Sequence, residues 1–129
     1  MKTIGRHCLI ELDGCDPKKL ASVTHIKRAL RQAAAAADCH VIRVVVHAFS
    51  PHGTTGVALL EESHLAIHTW PELRYAAADL FCCGAAKPEM AARSLGKALG
   101  ARKTRTKTLP RSCAKAPRRS LWSPLTHSA

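Results

Sequence analysis

Ser63, His68 and Cys83 bring a nucleophile, a proton carrier and a weak acid into one short span of this sequence. Ser63 follows the acidic pair Glu61-Glu62 and opens the segment Ser63-His64-Leu65-Ala66-Ile67-His68-Thr69-Trp70-Pro71-Glu72. A serine hydroxyl held in a constrained turn can attack the carbonyl before it, given a proton acceptor nearby and a donor for the developing oxyanion. Histidine has an unperturbed pKa near neutrality and suits the movement of those protons. A thiol is a modest acid whose strength is tuned by its surroundings. Residues of these types could serve a self-cleavage site that feeds an active site. Counted through one local irregularity, the alternating segment is expected to carry His68 on the same strand face as Ser63. Taken singly, each residue has an ordinary reading: Ser63 in a turn, His68 on a strand, Cys83 as a small buried apolar side chain.

The elements that would position these groups follow from periodicity. Thr3 to Leu12 is an apolar, partly alternating segment closed by the turn Asp13-Gly14-Cys15-Asp16-Pro17. Ile26, Ala29, Leu30, Ala33 and Ala37 recur at helical spacing, with Ser22 or Thr24 as the cap. His40 to Phe49 is rich in β-branched residues and reads as a strand; Gly56 to Glu61, His64 to Trp70 and Tyr75 to Cys82 read as three more. Pro88 opens a second helix that runs to about Leu99, with Gly100 at its end. Arg102 to Leu109 alternates basic residues with threonine and is expected as an edge strand. Residues 110–129 are expected to form a basic, disordered tail. The fold class is α/β (α+β): a two-layer sandwich of an antiparallel sheet with helices on one face, in two similar halves.

At 129 residues the chain suits one domain, placed at 1–109, with a core too small for a deep private pocket. A sizeable ligand site is therefore expected at a subunit interface. The net charge of +11 is uneven: residues 1–100 carry a net of +3 and residues 101–129 a net of +8, with no acid. Aromatics are scarce, so a stacking platform for single-stranded nucleic acid is missing, and any polyanion contact is weak and confined to the tail. The six cysteines show no framework or chelating spacing, so reduced thiols and no metal are expected. No apolar run reaches the length of a membrane span, and the amino terminus lacks the apolar core of a signal peptide; a cytoplasmic protein is expected.

The combination of Ser63-His64-Leu65-Ala66-Ile67-His68-Thr69-Trp70-Pro71-Glu72 with Asp79-Leu80-Phe81-Cys82-Cys83-Gly84 resembles the bacterial S-adenosylmethionine decarboxylase proenzymes. Gly5-Arg6-His7, Ile10 to Pro17, Phe49 to Gly53, Thr55-Gly56-Val57 and Ala98 to Ala101 extend the resemblance over roughly residues 3–109. The resemblance implies that this stretch is a self-cleavage site and that a pyruvoyl cofactor is made from Ser63, with Glu62 as the new carboxyl terminus. His68 and Thr55 match processing positions, and Cys83 matches the cysteine that returns a proton to the α-carbon. Phe49, Trp70 and Glu72 match the nucleoside pocket; for Phe49 and Trp70 core packing is the alternative. The family acts on a small molecule as a homodimer of cleaved chain pairs, with sites across the interface, and makes the aminopropyl donor for polyamines. A carbonyl cofactor fits that task, because decarboxylating an α-amino acid requires an electron sink that no ordinary side chain provides.

Two alternatives stand beside this reading. A repurposed member would decarboxylate a free amino acid such as ornithine or arginine, since only the side-chain pocket need differ. A non-catalytic module would keep the core and bind polyanions through its tail. Cys82, where relatives carry Thr or Met, and the tail itself are the departures from the family pattern.

Overall fold

The computed structural model describes residues 2–61 and 63–114. Six strands form one antiparallel sheet in the order β2-β3-β4-β5-β1-β6: β1 (Lys2–Asp13), β2 (Val41–Ala48), β3 (Thr54–Leu60), β4 (Ser63–Trp70), β5 (Tyr75–Cys82) and β6 (Lys103–Cys113). Helices α1 (Pro17–Leu20), α2 (Val23–Ala36) and α3 (Pro88–Ala98) cover one face. The two-layer sandwich expected from the sequence is what forms. In chain order the elements run β-α-β-β and then β-β-α-β, but β1 inserts between β5 and β6, so the first half is not contiguous in the sheet.

Parity decides what each strand presents. Cys8, Ile10 and Leu12 of β1, Ala58 and Leu60 of β3, Leu65 and Ile67 of β4, and Ala76, Ala78 and Leu80 of β5 are buried beneath the helices. Facing them are Ile26, Leu30 and Ala33 of α2, and Ala91 and Leu95 of α3, at helical spacing. Ser22 caps α2, its Oγ accepting from His25 N at 3.1 Å. Gly100 ends the α3 segment at φ +67, in the left-handed region where glycine carries no Cβ penalty.

Two threonines on the helix-covered side are fully buried. Thr69 Oγ1 accepts from Thr54 N at 2.9 Å and donates to the Leu20 carbonyl at 2.9 Å, and Thr54 Oγ1 lies 3.0 Å from Thr69 Oγ1. The pair ties the β3–β4 hairpin to the end of α1.

Two expectations change. The Asp13–Pro17 turn continues into the one-turn helix α1, with the Asp16 side chain accepting from Lys18 N. Strand β6 runs through Pro110 to Cys113 instead of stopping at Leu109. It lies on the sheet edge, where a proline need not donate to a second neighbour. Residues 115–129, most of the expected disordered tail, lie outside the described residues.

Among the described residues no helix covers the second face of the sheet. Its apolar groups Leu9, Val45, Val57 and Leu59 are 37–53% exposed. One row across it reads Val45, Val57, Ala66, Asp79, Leu9, Lys107; the next reads His47, Thr55, His68, Ala77, Glu11, Arg105.

Candidate active site

Ser63 is the first residue of β4 and pairs with Leu60. Its hydroxyl donates to the Glu61 carbonyl at 3.4 Å, so it turns back toward the chain that precedes it. Glu62 lies outside the described residues. Glu61 N donates to the His40 carbonyl at 3.1 Å, which fixes the near side of the turn.

Cys83 follows the last residue of β5, the strand next to β4 in the sheet. Gly84 takes φ +64 immediately after it, and Arg6 donates to the carbonyls of Gly84 and Ala86, pinning the loop that carries the thiol. Ser63 and Cys83 line one cleft of about 680 Å³, together with Cys39, His40 and Glu61. The structure thus brings together the serine and the cysteine singled out from the sequence. It also separates the two adjacent thiols. Both line the cleft, but Cys82 is fully buried and burial pushes its pKa up, whereas Cys83 is half-buried.

His68 is elsewhere. It stands five residues along β4 from Ser63, about 16 Å at the rise of a strand. Odd positions of β4 face the helices and even positions the open face, so Ser63 and His68 do not share a face. The expectation that they would is corrected: β4 runs without a bulge, and an odd separation in a regular strand reverses the side. His68 instead pairs with Thr55 of β3, and His68 Nδ1 lies 3.3 Å from Thr55 Oγ1.

The three expected nucleoside-binding residues lie toward the His68 end. The Trp70 ring is 6.5 Å from that of His68 and stacks on Tyr75 at 5.5 Å. Phe49 lies over Gly53, where a Cβ would meet the ring at 2.8 Å, and is 41% exposed. Glu72 is exposed in the short 3-10 turn Pro71–Leu73. Phe49 and Trp70 are therefore not core residues. Tyr75 OH donates to both carboxylate oxygens of Glu11 at 3.0 Å; burial, then the Glu11 contact, raises the tyrosine pKa.

A third cluster went unread in the sequence. Asp79 Oδ2 accepts from His7 Nε2 at 2.7 Å and from His64 Nε2 at 2.8 Å. Burial opposes ionisation of Asp79, but the two imidazole donors outweigh it and hold its pKa below the usual carboxylate value. His64 and His7 both neighbour Phe81 in the third row of the open face. The only signal for this in the sequence is parity, and parity gives no register.

Two ends of one chain thus hold different groups: a serine hydroxyl and a thiol at one, an imidazole with a threonine hydroxyl and aromatic surface at the other. Residues 6–112 match the family model for S-adenosylmethionine decarboxylase. The chain belongs to that family. It is 43% identical over 109 residues to the S-adenosylmethionine decarboxylase proenzyme of Prochlorococcus marinus (strain MIT 9313), covering 84% of this chain and 87% of that protein. To the proenzyme of Geobacillus kaustophilus (strain HTA426) it is 41% identical over 111 residues, covering 86% and 90%. The crystal structure of the adenosylmethionine decarboxylase from Aquifex aeolicus VF5 superposes with a TM-score of 0.75 at 32% identity, covering 93% of this chain and all of that one. The family resemblance drawn from the motif around Ser63 is borne out. Among the described residues no helix is long and apolar enough to cross a membrane.

Proposed function

We propose that this chain is a proenzyme that breaks its own backbone between Glu62 and Ser63 and then decarboxylates S-adenosylmethionine. The observation that carries the reading is the shared cleft of Ser63 and Cys83, within a chain of the decarboxylase family. Ser63 Oγ attacks the Glu62 carbonyl carbon and the peptide nitrogen leaves, converting the amide to an ester. Removal of the Ser63 α-proton expels the Glu62 carboxylate and leaves dehydroalanine. Addition of water and loss of ammonia then give a pyruvoyl group on the new amino terminus.

The residues present fit that group. Ser63 is at a strand end beside a turn, its hydroxyl already directed at the preceding backbone, and a partly exposed thiol shares its cleft. The pyruvoyl carbonyl supplies the electron sink for loss of carbon dioxide. Cys83 holds the proton that is returned to the α-carbon. Arg6 keeps the Cys83 loop in place through the Gly84 and Ala86 carbonyls.

The processing histidine must come from a second copy. His68 is about 16 Å from Ser63 along β4, beyond proton-transfer reach, and Thr55 sits beside His68 on β3. The open face of the sheet carries exposed Leu9, Val45, Val57 and Leu59, the kind of apolar surface that marks an interface. In a two-fold pairing of these faces that runs the two β4 strands antiparallel, the Ser63 end of one chain lies at the His68 end of the other, and Ser63, at the strand terminus, is reached past that end and not across the face, giving two identical composite sites. Thr55 then orients His68, and Phe49, Trp70 and Glu72 beside it receive the substrate. An aromatic face suits an adenine and a sulfonium, and a carboxylate accepts from two ribose hydroxyls.

The test is carbon dioxide release from carboxyl-labelled S-adenosylmethionine, ornithine and arginine by the purified protein. Release from S-adenosylmethionine alone is expected. Release from a free amino acid alone would overturn the substrate assignment, and release from none would overturn the enzymatic reading.

A further inference from the structure

Self-cleavage creates a mechanical difficulty that the Asp79 cluster answers. Before cleavage Ser63 is tethered on both sides; afterwards it is a chain terminus, and termini fray unless they are tied down. What still holds the new end is its pairing with β3 and whatever secures the residue next to it. That residue is His64, and its side chain is secured from several sides. Its Nε2 donates to Asp79 at 2.8 Å, its ring stacks on Phe81 at 6.4 Å, and the His7 ring meets it edge-on at 5.9 Å.

Asp79 is central to this arrangement. Its strand, β5, lies between β4 and β1, so one carboxylate oxygen reaches His64 on one side and His7 on the other. The far side of His7 is fixed as well: Arg111 Nη1 donates to His7 Nδ1 at 3.3 Å, and its guanidinium lies over Phe81 at 5.7 Å. This last contact exists because β6 continues past Pro110.

The same contact weighs against a metal. His7, His64 and Asp79 offer ligand atoms within 4.8 Å of one another. A ligating imidazole, however, normally donates its second N–H to an acceptor. Arginine has no acceptor to offer. His7 Nδ1 accepts, so the proton sits on Nε2 and points at Asp79.

We propose that Asp79 is a positioning residue that acts through His64 to hold the group generated from Ser63 in register with the Cys83 cleft. The inference rests on the reading of Ser63 as the cleaved residue. Asp79 touches neither substrate nor reacting atoms in this account.

The test is a double-mutant cycle on the full chain, comparing Asp79→Ala, His64→Ala and the pair with the parent. Intact mass gives the cleaved fraction of each preparation, and kcat and KM are then expressed per cleaved site. Asp79→Ala is expected to lower kcat by about 10- to 100-fold, the scale of a displaced reacting group. KM should stay within about threefold, because substrate contacts are untouched. In the His64→Ala background the same substitution is expected to change kcat by less than about twofold, since residues acting in series are not additive. An equal drop in both backgrounds, or an unchanged kcat in the parent background, would overturn the proposal. Should Asp79→Ala not fold, Asp79→Thr keeps a strand-forming residue that cannot bridge both imidazoles and completes the same cycle. If the parent itself is not cleaved at Ser63, it is the reading of Ser63 that has failed, and the mass spectrum reports this before any kinetics.

Discussion

Ser63 and His68 stand at opposite ends of β4, five residues apart and on opposite faces of the sheet. In one chain they cannot exchange a proton, and the self-cleavage proposed at Ser63 calls for an imidazole. Two copies solve the problem if each lends its His68 to the other.

The first prediction is complementation. Ser63→Ala and His68→Ala chains should each remain uncleaved when made alone. Co-expressed, the His68→Ala chain should be cleaved, because its Ser63 meets the His68 of the other copy. With random pairing about a quarter of all sites are complete. Gel analysis of differently tagged chains reads this directly, and no cleavage in the mixture would mean that the site lies within one chain.

Cys83 and Cys82 should separate cleanly. Cys83→Ala removes the proposed proton donor and should lower decarboxylation by about 10²- to 10⁴-fold, the usual weight of a general acid. Cys82→Ala alters a buried thiol whose pKa burial has raised, and its activity should stay close to that of the parent. Steady-state assays on matched, mass-checked preparations decide it.

The buried threonines predict a stability effect far from the reacting serine. Thr69→Val keeps the shape but leaves Thr54 N without its acceptor in a fully buried place. A buried donor left unmade costs about 1–3 kcal/mol. Chemical denaturation should show this loss, with the cleavage pattern preserved.

Asp79 links the site to acid stability. Its folded pKa is depressed, so its contribution is complete above the unfolded carboxylate range and lost as pH falls through the folded value. Asp79→Ala should therefore be less stable than the parent at pH 7 by about 2 kcal/mol, the scale of hydrogen bonds to a charged group. The gap should narrow as pH drops below about 4. Paired thermal melts across that range check the sign.

Much of this was legible in the residues. The run of valines from 41 to 46 marks a strand wherever it lies, and Ile26, Leu30 and Ala33 mark the buried stripe of α2. Ser63 and Cys83 could be paired because the order of the motif is specific. The placement of His68 could not be read well, since one residue of irregularity in β4 would have reversed its face, and regularity is a property of the ladder. The Asp79 cluster depends on β1 entering the sheet between β5 and β6, a pairing of residues more than 70 positions apart that leaves no local trace. The run of β6 past Pro110 was missed because proline is compatible with a strand only at an edge, and which strand lies at the edge is a matter of topology.

The most direct test of the whole account is the intact mass of the purified, denatured protein. Two fragments are predicted, spanning 1–62 and 63–129, with the second lighter than a serine-started chain by the mass of one ammonia. A single full-length species that persists on incubation would contradict self-cleavage at Ser63 and the chemistry built on it.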